Sequence, residues 1–68
     1  MSENFIGNVV MCKYINSLKR NDTYTGVVVS APTKNVVMVK VKRAFPKFGP
    51  DQLFMTSIDN IITVLKYR

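Results

Sequence analysis

Two β-branched runs joined by a turn dominate the middle of the chain, from Tyr24 to Phe45. Side chains with two heavy atoms on Cβ favour the pleated strand over the helix, and Val27–Val29 and Val36–Val41 are dense in them. In the second run Val37, Val39 and Val41 alternate with Met38, Lys40 and Lys42, the period-two pattern of a strand with one face in a core and one in water. A chain of 68 residues makes at most one domain, here 1–68, and buries only about 60% of its unfolded surface. The remaining segments must therefore complete a sheet around this hairpin.

Val9 to Ile15 alternates well enough to be a first strand. With Lys13 in water, Val9, Met11 and Ile15 share its side, while Val10, Cys12 and Tyr14 point inward. Residues 16–22 read as a turn. Thr23 to Ser30 is a second strand, with Gly26 where a bulge or a strong bend needs it. Ala31 to Asn35 closes the hairpin, and Asn35 to Ala44 is the third strand. Pro46, Gly49 and Pro50 enforce a loop. Leu53 to Ser57 and Ile61 to Tyr67 supply two more strands, separated by a tight turn over 57–60, and Gly7 ends a short N-terminal turn or helix. The expected fold is all-β: a small, five-stranded, strongly bent, SH3-like barrel, since closing the sheet removes exposed edges.

Ten Lys and Arg against four Asp and Glu give a formal charge of +6, a bias toward polyanions or acidic peptides. Lysines also keep strand edges unpaired, and that reading has equal standing. Cys12 is the only cysteine, so a cystine-stapled secreted scaffold is excluded and a reducing compartment is expected. No window approaches the ~20 apolar residues of a membrane span. Histidine is absent, and Glu3, Asp22, Asp51 and Asp59 stand apart, so no acid–base pair, metal site or cofactor is evident. There is no Gly-rich phosphate loop, and a thiol between Val10 and Tyr14 reads as a small buried hydrophobe. The expectation is a binding module, not an enzyme.

Two spacings resemble a known family. Tyr24-Thr25-Gly26 before the valine-rich strand resembles the first Sm motif, and Leu53 to Ile61 resembles the second. Within the Sm and LSm superfamily the likeness is greatest to the N-terminal LSm domain of the enhancer-of-decapping scaffold proteins. Phe5-Ile6-Gly7, Tyr24 with Gly26, Arg43-Ala44-Phe45 and Ile61 to Lys66 carry it. Trailer-hitch-type LSm domains share the opening and the Arg-x-Phe, with a longer loop before the fourth strand. The uridine-reading groups of ring-forming Sm proteins are mostly missing: Pro32 stands near the place of the Asp, only Asn35 mimics the Asn, and Ser57-Ile58 replaces Arg-Gly. Without that arginine the cationic fork and its stacking plane are lost. The resemblance thus implies a monomeric Sm-like adaptor that binds leucine-rich helical motifs of decapping factors such as the catalytic subunit, in cytoplasmic mRNP granules (P-bodies).

The register gives that reading a surface. If Tyr24, Gly26 and Val28 face inward, Val27 and Val29 face out, and Met38, Val36, Val9 and Met11 extend them into an apolar stripe bordered by Lys13, Lys40 and Lys42. Such a stripe accepts an amphipathic helix with acidic flanks; the peptide-binding residues are then Val27, Val29, Met38, Val36, Met11 and Lys40. Equally open is that the N-terminal segment or a register shift covers the stripe as ordinary core, or that Phe5 and Ile6 cover one end only. The alternative function is RNA binding, as in a Trailer-hitch-type domain, a ring-forming Sm-like protein or a KOW-like ribosomal barrel. Lys34, Lys40, Lys42, Arg43 and Lys47 would then track phosphates, and Tyr14, Phe45 or Phe48 would stack bases.

Overall fold

The computed structural model describes residues 2–43 and 52–68, with Lys42 and Arg43 described by their backbone only. Strands β1 (Val9–Ile15), β2 (Asn21–Thr33), β3 (Val36–Arg43), β4 (Leu53–Ser57) and β5 (Ile61–Lys66) form one antiparallel sheet in the order β4-β3-β2-β1-β5. The architecture is therefore all-β and five-stranded, as the alternation and turn spacing predict. A 3-10 turn over Ser2–Phe5 precedes Gly7, whose φ of +88° is left-handed backbone that glycine adopts without a Cβ clash.

The sheet curls because its ladders are interrupted. Register shifts fall at Thr25/Gly26, Val28/Ser30 and Ser30/Thr33 between β2 and β3, and at Val9/Val10 and Met11/Cys12 between β1 and β5. Each extra residue bends its strand and raises local twist. One face consequently encloses Val10, Cys12, Tyr24, Val28, Val37, Val39 and Val41, all buried. Gly26 is the tightest point. A Cβ there would sit 2.5 Å from the Lys40 carbonyl oxygen and 2.6 Å from Val39 Cγ1, so β3 crosses β2 at a distance only glycine permits.

Several boundaries differ from expectation. β2 continues through Ala31, Pro32 and Thr33, leaving only Lys34 and Asn35 as the turn. Pro32 lies within the interruption between Ser30 and Thr33, where a missing N–H breaks no ladder bond. β2 also starts earlier, at Asn21, and β3 starts one residue later than expected, at Val36. β5 ends at Lys66, with Tyr67 exposed beyond it. Ala44, Phe45, Pro46, Lys47, Phe48, Gly49 and Pro50 lie outside the described residues.

Tyr14, expected in the core, is only half-buried. It pairs with Asp22 across β1 and β2, and its hydroxyl donates to the Asp22 carboxylate at 3.2 Å. A phenol that stays at the rim keeps this partner, whereas full burial would strand its polar tip.

The N-terminal segment closes one end of the barrel. Ser2 is fully buried; its N–H donates to the Lys34 carbonyl at 2.9 Å and its hydroxyl to the Thr33 carbonyl. Phe5 and Ile6 pack against the core cluster. Gly7 N–H donates to the Val28 carbonyl (2.8 Å), and Val28 N–H to the Asn8 carbonyl (3.0 Å). Asn8 Oδ1 then accepts the Arg68 N–H at 2.9 Å, so a buried amide is satisfied by the far end of the chain.

Candidate functional site

The outer face of the sheet is built by the residues that alternate with the core. One row crosses all five strands as Lys66, Val9, Val27, Lys40 and Leu53. A second places Met38 between Ser30 of β2 and Met55 of β4, and a third places Val36 between Thr33 and Ser57. Met11 stands opposite Thr25 and Thr63. Because the register shift at Val28/Ser30 sets two β2 residues against one of β3, both Val29 and Ser30 face solvent.

The expected stripe is thus present, but its shape differs. Lys40 stands inside it, between Val27 and Leu53, and not along its border. The apolar positions separate into a half-buried group on β1, β2 and β3 (Val9, Met11, Val27, Met38) and an exposed group (Val29, Met55, Leu53). Val29 is 44% exposed, Leu53 53% and Met55 63%. The N-terminal segment does not cover this second group, since Phe5 and Ile6 are spent on the core.

Sequence reasoning missed Leu53 and Met55. In Leu53 to Ser57 it is Phe54 that packs against the core. Its ring meets Tyr24 with centroids 5.3 Å apart, and period two then turns Leu53 and Met55 out. Without the β3–β4 register, nothing placed them beside Met38 and Lys40.

Of the expected RNA-contact residues, Lys34 is exposed in the β2–β3 turn and Lys40 is exposed on β3. Lys42 and Arg43 continue β3, and Lys47 is outside the described residues. The ladder neighbours of Lys40 are aliphatic. Tyr14, a candidate stacking ring, tilts against Tyr24 at 57° with centroids 5.7 Å apart, so its surface is partly committed to the core edge. Phe45 and Phe48, the other candidates, lie outside the described residues.

Beneath the outer face, Cys12 and Tyr24 are neighbours across β1 and β2. Burial pushes the Cys12 thiol up, opposed by its hydrogen bond with Tyr24. Burial also pushes the Tyr24 hydroxyl well up, and proximity to Cys12 pushes it further. Both groups are therefore neutral at neutral pH, and a neutral buried thiol is a poor nucleophile. Among the described residues, no three His, Cys, Asp or Glu side chains gather as a metal site would require. No protein-family description, no curated protein and no solved structure matches the chain.

Proposed function

We propose that this domain is a non-catalytic adaptor that docks a short amphipathic helix on the outer face of β2, β3 and β4. The observation that carries the reading is the exposed Val29, Met55 and Leu53 grouped around half-buried Met38, with Lys40 in register between Val27 and Leu53. Neighbouring strands lie about 4.8 Å apart, so this group spans roughly 10 Å. That is close to two turns of helix, or the axial separation of leucines seven residues apart. Methionine side chains adapt to differently shaped apolar partners, and a carboxylate on the helix would meet Lys40. Taken with the LSm-type resemblance, the occupant would be a leucine-rich helical motif of an mRNA-decapping factor, the catalytic subunit among them, bound by a single copy of the domain in cytoplasmic mRNP granules.

Titration of isotope-labelled protein tests this. A leucine-rich helical peptide is expected to shift Val29, Met38 and Met55 signals, while a single-stranded oligoribonucleotide leaves them unmoved. If the peptide leaves these residues unmoved and RNA instead moves Lys34, Lys40 and Lys42 with a steep dependence on salt, the domain is an RNA binder and the adaptor reading is wrong.

A further inference from the structure

The two edges of the sheet are not equivalent. β5 carries both register irregularities of its ladder, opposite Val9/Val10 and Met11/Cys12, and ends in Lys66. Bulges and lysines are the devices that keep an edge from pairing. β4, Leu-Phe-Met-Thr-Ser over 53–57, has no charged residue and no proline, and its register with β3 runs without interruption from Val36↔Ser57 to Lys40↔Leu53.

The polarity of that edge follows from the hydrogen bonds at its two ends. Val41 N–H donates to the Gln52 carbonyl at 2.8 Å, and Ile58 N–H to the Asn35 carbonyl at 2.9 Å. In an antiparallel ladder, bonded and non-bonded pairs alternate. Val39/Phe54 and Val37/Thr56 are then the bonded pairs between them, and the N–H and C=O groups of Leu53, Met55 and Ser57 point away from β3. β4 ends the sheet, so among the described residues no strand pairs with them.

We infer that β4 is a strand-addition site for an extended peptide segment with apolar and acidic residues in alternation. The outward backbone groups dictate an extended occupant, because only a strand presents N–H and C=O at the matching repeat. Leu53 and Met55, exposed on the outer side of the same edge, favour apolar residues on that side of the added strand. The charge of +6 favours acidic residues elsewhere in it and opposes a second copy of this chain as the occupant. The inference shares Leu53 and Met55 with the helix-docking face, but it rests on the outward backbone groups of β4, which helix docking does not use.

The probe is a short, end-blocked peptide alternating valine and glutamate, with a control N-methylated along the edge that would pair. Amide hydrogen exchange is followed at Leu53, Met55 and Ser57. Saturating probe is expected to slow exchange there by roughly tenfold or more, the N-methylated peptide to have no effect, and added salt to weaken binding. Met55→Pro deletes an N–H that serves no internal ladder bond, a substitution an edge strand tolerates, and is expected to abolish protection. Should the variant misfold, the N-methylated control still decides. Equal protection by the N-methylated peptide, absence of protection at millimolar probe, or perturbation confined to Val27 and Val29 would each overturn the inference. So would concentration-dependent self-association in sedimentation that already protects these amides without probe.

Discussion

Replacing Gly26 by alanine gives the sharpest test of the packing described here. An added Cβ would lie 2.5 Å from the Lys40 carbonyl oxygen, 2.6 Å from Val39 Cγ1 and 3.0 Å from the Lys40 carbonyl carbon. Carbon–oxygen contacts settle at about 3.3 Å or longer, so β2 and β3 must separate by roughly 0.8 Å at Gly26↔Val41 and Val27↔Lys40. Two of the obstructing atoms are backbone, and no rotamer change relieves them. Overpacking of this kind costs about 1–3 kcal/mol, and each stretched ladder bond adds up to about 1 kcal/mol. Alanine's smaller unfolded-state entropy returns at most about 1 kcal/mol. The net expectation is a loss of about 2–3 kcal/mol. A chain of 68 residues has a total stability of only about 3–10 kcal/mol, so the midpoint of thermal unfolding should fall by roughly 10–20 °C. Urea denaturation should show a lower midpoint with an unchanged slope. A Gly26→Ala protein as stable as the parent would refute the close crossing of β3 over β2 and with it the register of the outer face.

Three further outcomes follow from the same structure. Val29→Asp, on an exposed position, should change stability by no more than about 0.5 kcal/mol yet weaken the helical peptide by about thirtyfold, roughly 2 kcal/mol; calorimetric titration that finds unchanged affinity removes Val29 from the site. Native Cys12, buried on β1, should react with a disulfide reagent at least about a hundredfold more slowly than a free thiol, and reaction at the free rate would take it out of the core. Because the folded ionisations of Cys12 and Tyr24 are both raised, their contribution to stability is complete below the unfolded thiol value of about 8.5 and declines above it. The tyrosine loss begins near 10, with about 1.4 kcal/mol lost per pH unit for each group that ionises only on unfolding. Denaturation between pH 7 and 11 should show this slope, and Tyr24→Phe should remove the tyrosine share of it above about pH 10.

The outcome for each residue shows what a sequence can carry. Val10, Cys12, Tyr24, Val28, Val37, Val39 and Val41 were legible as core because period two is imposed by the backbone itself and needs no knowledge of neighbours. Tyr14 shared that period and still came to the rim, since its hydroxyl is held by Asp22, a partner fixed by cross-strand pairing. The end of β2 was misplaced because Pro32 signals a turn locally, whereas the interrupted ladder between Ser30 and Thr33 accommodates it. Of the surface, Val29 and Met38 were readable as outward, but the entry of Lys40 into their patch and the contribution of Leu53 and Met55 depend on the β3–β4 register. Register between strands joined by a loop is a tertiary choice, invisible to local pattern.

The strand order also sets a sequence of events in time. β1 to β4 form a meander in which each strand pairs with its successor, whereas β5 pairs with β1 across most of the chain, Val9 with Lys66 and Cys12 with Ile61. Loop-closure entropy must be overcome before such distant contacts can stabilise anything. β5 should therefore dock after the transition state and detach first. Val64→Ala, trimming a half-buried contact of β5, is expected to hasten unfolding while leaving the folding rate nearly unchanged, and a φ-value near one would place closure in the nucleus instead. The bond from Arg68 to Asn8 then acts as a latch that holds the C-terminal end of β5 to β1, and its loss would shorten the lifetime of the docked β5 without altering how the other four strands come together.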